Sequence, residues 1–83
     1  MKVLLVGAGY WGSKLLDRLA RSMPVRDIYV ADPLYLGPWT RFDDYQAALN
    51  AMPGIGACIV ATPISTHYAI VKACLEADKH VLV

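Results

Sequence analysis

The chain has 83 residues, 57% hydrophobic and 18% charged, with eight basic and seven acidic side chains for a net charge of +1. That length suits a single domain, residues 1–83, with one core and no room for a second, and the apolar balance excludes a disordered chain. Near-neutral charge without a basic stripe excludes phosphate-backbone binding, so no nucleic-acid partner is expected.

The residues Val3, Leu4, Leu5 and Val6 form an uninterrupted apolar run, the pattern of a strand buried on both faces. It stops at Gly7-Ala8-Gly9, too soon for the apolar core of a signal peptide. A glycine-rich turn over residues 7–12 follows. Leu15, Leu16, Leu19, Ala20 and Met23 then recur at helical spacing, with Lys14, Asp17, Arg18 and Arg21 on the opposite face, and Pro24 stops the helix. A second strand is expected over residues 28–31, closed by Asp32-Pro33. Residues 34–38 read as loop and 39–42 as a short edge strand.

Asp43 or Asp44 caps the next helix, whose apolar positions Tyr45, Ala48, Leu49 and Met52 fall at i, i+3, i+4 and i+7. Pro53-Gly54 ends it. Residues 58–61 read as a buried strand ended by Thr62-Pro63. Ser65 or Thr66 caps a helix containing Ile70, Val71, Cys74 and Leu75, and residues 80–83 form a last apolar strand. Cys58 and Cys74 stand sixteen positions apart without a CxxC motif, which argues against a disulfide framework or metal site and for a reducing, cytoplasmic setting. No apolar run approaches the ~18–20 residues of a membrane span, so no membrane partner is expected.

Strands alternating with helices imply an α/β domain: a doubly wound parallel sheet of about five strands with helices on both faces. The expected strand order is 3-2-1-4-5, with ligands beyond the carboxyl ends of the first and fourth strands. Function is therefore expected in the turns at residues 7–12 and 62–67.

Gly7-Ala8-Gly9-Tyr10-Trp11-Gly12 is a G-x-G-x-x-G between an expected strand and an expected helix. In such a turn Gly7 permits the tight bend, Gly9 lets backbone approach a pyrophosphate, and Gly12 lets helix pack on sheet. The helix N-terminus offers amide groups and a positive dipole end to the phosphates. Asp32 ends the second strand twenty residues after Gly12, where a carboxylate accepts hydrogen bonds from the adenosine ribose. Its charge repels a 2′-phosphate and no arginine lies within the next eight residues, so NAD is expected over NADP. The plainer reading is that Asp32 starts an Asp-Pro turn. A P-loop is excluded because Ser13-Lys14 has the wrong order, and a methyltransferase-type G-x-G-x-G because position 11 is tryptophan.

After the fourth strand comes Ala61-Thr62-Pro63-Ile64-Ser65-Thr66-His67, and after the next helix Lys79-His80-Val81-Leu82-Val83. Together with the glycine turn and Asp32, these segments resemble the N-terminal, Rossmann-type cofactor-binding half of the Gfo/Idh/MocA oxidoreductases over the whole chain. The Gly-Tyr-Trp-Gly form of the turn looks most like members acting on nucleotide-linked sugars. The resemblance implies that Thr62, Pro63 and His67 lie beside the ribose and nicotinamide end of NAD. Read without it, Thr62-Pro63 is a strand terminator and His67 a surface or capping histidine near a helix start. Tyr10 and Trp11 either pack over the cofactor or shield the sheet edge. Asp78 stands where the family usually has glycine, at a helix end that favours a left-handed residue.

In that family the strand matching residues 80–83 is followed by a Glu-Lys-Pro motif whose lysine serves catalysis, and then by a substrate domain. Neither is present in this sequence. The expectation is thus a fragment that binds the cofactor of a hydride-transferring enzyme acting on a sugar-like secondary alcohol, without catalytic competence of its own. Its further partner is then a missing substrate domain, a partner chain or a second copy. Two other expectations compete: a stand-alone nucleotide-binding module serving a partner chain, and a remnant that keeps the sheet but no ligand.

Overall fold

Leu4, Leu5, Ile28 and Val30 are wholly shielded from solvent, as central strands of a parallel sheet must be when helices cover both faces. A computed structural model describes residues 1–83. Its strands are β1 (Lys2–Val6), β2 (Ile28–Ala31), β3 (Thr40–Phe42), β4 (Ile55–Val60) and β5 (His80–Leu82). Its helices are α1 (Tyr10–Ser22), α2 (Tyr45–Ala51) and α3 (His67–Glu76). All five strands run parallel in the order β3-β2-β1-β4-β5, the order expected from the alternation of elements.

Successive side chains on a strand point to opposite faces, so the core divides in two. Leu4, Val6, Tyr29, Ala31, Cys58 and Val60 pack with Ala48 of α2 and with Ile70 and Cys74 of α3. On the other face Leu5, Ile28 and Val30 pack with Leu16 of α1. No helix joins β2 to β3. Tyr35 and Trp39 from that connection lie against the α1-side cluster instead. Both cysteines are free and buried, and burial, reinforced by the hydrogen-bonded Cys74 thiol, pushes Cys58 up to about 12.

Two element starts and one cap depart most from the sequence reading. Helix α1 begins at Tyr10 rather than after the glycine motif, because only Gly7 needs a left-handed backbone (φ 91°). Strand β4 begins at Ile55, three residues early. Lys2 pairs with Ile55 and Val3 with Ala57, leaving Gly56 as the extra residue of an irregularity that glycine tolerates. Thr66 stands at the start of α3 without capping it by its side chain. Of the two aspartates before α2, Asp44 is the cap, accepting from Ala47 N at 2.8 Å.

Candidate functional site

The carboxyl ends of β1, β2 and β4 meet where α1 begins, and the backbone ties them together. Gly7 N donates to Ala31 O at 3.0 Å, and Ala61 N to Val6 O at 2.9 Å. This continues the ladders one residue past each strand and fixes the glycine turn between the other two strand ends.

The three glycines have different surroundings. A Cβ at Gly7 would sit 2.9 Å from Thr62 Cγ2 and 3.2 Å from Ala61 O. A Cβ at Gly12 would overlap Gly7 O, so the first turn of α1 rests on the turn it follows. At Gly9 nothing lies within 4 Å of that position. Gly7 and Gly12 are thus glycine for the fold, whereas the space over Gly9 is open. No acidic side chain lies in the first turn of α1, and no side chain caps it. Its leading amides stay available to an anion.

Asp32 does more than start a turn. Its Oδ1 accepts from Leu34 N at 2.8 Å, the Asp-Pro turn expected of the sequence, while its Oδ2 accepts from Ala8 N at 2.8 Å, inside the glycine motif. The carboxylate therefore braces β2 against the β1 turn. Each oxygen keeps a lone pair for another donor.

On the β4 side, His67 is the first residue of α3 and is half-buried. Its Nε2 lies 2.7 Å from Thr62 O. A carbonyl only accepts, so Nε2 carries the proton and Nδ1 of the neutral ring is left as an acceptor. Thr66 Oγ1 donates to Pro63 O (2.7 Å), with Thr62 Oγ1 also in range (2.6 Å). These bonds draw residues 62–67 into one tight corner, and Thr62 abuts the glycine turn.

Tyr10 and Trp11 are 72% and 69% exposed, so neither shields the sheet edge. Their rings meet edge to face at 5.3 Å, with Lys14 Nζ 4.5 Å from the Tyr10 centroid. Arg41 escaped the sequence reading. It lies nine positions after Asp32 in the chain, but β3 pairs with β2 and carries its guanidinium to Pro33 O at 3.3 Å.

An open apolar groove of about 490 Å³ runs along α3, past Tyr68, Val71, Leu75 and Val83. It touches the corner only at His67. No helix is long and apolar enough to cross a membrane.

No curated protein matches the chain in sequence. A family model described as an oxidoreductase family with an NAD-binding Rossmann fold matches residues 1–83. An open second glycine, an acidic group at the end of β2 and the order β3-β2-β1-β4-β5 agree with that match. The chain belongs to the Gfo/Idh/MocA oxidoreductase family and is of its NAD-binding Rossmann fold.

Proposed function

We propose that this chain holds the dinucleotide of an oxidoreductase acting on a sugar-like secondary alcohol, binding the cofactor and leaving the substrate chemistry to another part of the enzyme. The observation that carries this reading is the Asp32 carboxylate, fastened to the glycine turn at Ala8 N beside the open space over Gly9. The residues present fit the group. Gly7, Gly9 and Gly12, with the first amides of α1, hold the pyrophosphate. Asp32 accepts from the adenosine ribose hydroxyls. Thr62, Pro63 and His67 bound the nicotinamide end, where the Nδ1 lone pair of His67 receives a hydroxyl or amide donor. Tyr10 and Trp11, standing free on the first turn of α1, cover the bound molecule.

When bound, the nicotinamide supplies the acceptor or donor of the hydride. The chain's own part is positioning: it anchors one end of a long ligand by charge and hydrogen bonds, so the other end has a fixed place. No residue of this chain is assigned as a catalytic acid or base. NAD is the preferred dinucleotide, because Asp32 offers a negative charge where NADP carries its 2′-phosphate. A substrate domain, a partner chain or a second copy fits the β5 edge, where Leu82 is 62% exposed beside unpaired strand groups. The same edge favours a second reading, a nucleotide-binding module that serves a partner chain without catalysis of its own. The setting proposed is cytoplasmic.

Calorimetric titration with NAD tests the reading. Charge-assisted bonds to a ribose contribute about 1.5–3 kcal/mol, so Asp32→Ala is expected to weaken NAD by roughly 10- to 100-fold. Circular dichroism should show the α/β fold retained. Equal affinity in a folded variant would remove Asp32 from the site.

A further inference from the structure

The connection from β2 to β3 breaks both rules of burial at once. Trp39 packs against the α1-side cluster, and its Nε1 is the one buried side-chain nitrogen or oxygen of the molecule without a hydrogen-bond partner. A buried donor left unpaired costs free energy that a paired one does not. Leu34 and Leu36, on either side of the inward-turned Tyr35, are 84% and 96% exposed. A polar group thus lies inside while two leucines stand in water.

The segment is held unevenly. At its start, Leu34 N is fixed to Asp32 Oδ1 at 2.8 Å. At its far end, Trp39 N reaches the Tyr35 hydroxyl at 3.4 Å, longer than an ordinary N–H···O bond. Gly37 lies between them, and a Cβ there would overlap that same hydroxyl. The loop therefore has a firm root at Asp32 and a weak latch where Trp39 meets Tyr35.

We propose that residues 34–39 are a strap that closes over the purine ring of a dinucleotide, with Leu36 as its contact and Trp39 as its latch. This rests on the dinucleotide reading above and deepens it. A ribose bonded to Asp32 carries its base beside the root of the strap, and a purine offers the apolar face that Leu36 lacks. Closure takes Leu36 out of water and draws Trp39 from its seat, so that the indole N–H meets an acceptor. A ligand shifts such an equilibrium only through what it binds better in one state, and the purine is that part.

The test follows the two tryptophan indole N–H resonances by NMR, assigned with Trp39→Phe, as NAD, 5′-AMP or nicotinamide mononucleotide is added. NAD and 5′-AMP should move the Trp39 resonance, and nicotinamide mononucleotide, which has no purine, should leave it in place. Leu36→Ser should weaken NAD and 5′-AMP by roughly tenfold with the melting temperature unchanged, because the open form leaves that side chain in water. A fixed loop predicts neither effect. A still Trp39 resonance, or full affinity in Leu36→Ser, beside ligand shifts at residues 7–12 overturns the strap and leaves the dinucleotide site intact. A Trp39 shift as large with nicotinamide mononucleotide as with 5′-AMP overturns the purine as its occupant. A spectrum indifferent to all three ligands overturns both readings.

Discussion

A methyl group added at Gly9 meets nothing within 4 Å, whereas one added at Gly12 overlaps Gly7 O. The two substitutions therefore separate folding from binding. Gly12→Ala forces α1 off the β1 turn and is expected to cost about 2–3 kcal/mol, by analogy with overpacked cores. Gly9→Ala should change stability by less than about 1 kcal/mol, yet block the backbone's approach to a pyrophosphate. Thermal melts and NAD titrations on the pair check this: a lower melting temperature for Gly12→Ala, a lost ligand for Gly9→Ala. Equal losses of stability would show that both glycines serve the fold alone. The motif's spacing already announces three glycines. That Gly9 alone faces open space matches the role its place in the motif gives it, while the closeness of Thr62 to Gly7 depends on β4 and is not encoded locally.

At the scale of the element, the end of α3 shows how a local rule is bent. Asp78 N donates to Leu75 O at 3.0 Å and Lys79 N to Cys74 O at 3.0 Å, the paired bonds of a helix closing through a left-handed residue. Asp78 is that residue, at φ 61°. Aspartate enters this region at a cost glycine escapes, though glycine loses more chain entropy on folding. Asp78→Gly is accordingly expected to stabilise the chain by about 0.5–1 kcal/mol, raising the melting temperature by roughly 2–8 °C. A fall in melting temperature would mean that the aspartate side chain contributes more than its backbone costs. This turn was legible through the family resemblance, which puts glycine at position 78, and the cap of α2 through a local cue that narrowed it to Asp43 or Asp44, of which Asp44 is the cap. The start of β4 was not: Gly56 reads as a breaker, and only pairing with Lys2 and Val3 shows it absorbed within a strand.

Taken as a whole, the molecule gathers exposed apolar side chains at one end of its sheet. Tyr10 and Trp11 follow β1, Leu34 follows β2, and Ile64 and Tyr68 follow β4, each more than two-thirds exposed. All lie beyond the carboxyl ends of the strands, the end where open α/β sheets receive ligands. The strand order was readable because strands alternating with helices leave few right-handed, parallel arrangements. The neighbourhood of Arg41 was not readable, since it depends on β3 pairing back onto β2 in a register that places Arg41 beside Val30.

The central claim is that one surface, made by three loops distant in sequence, receives a dinucleotide. An amide NMR titration of the chain with NAD, then NADP, tests it most directly. The account predicts a dispersed spectrum in which shifts concentrate at residues 7–12, at Asp32 and at residues 62–67. A dispersed spectrum indifferent to both dinucleotides, or shifts confined to the α3 groove around Tyr68, Val71 and Leu75, would contradict it.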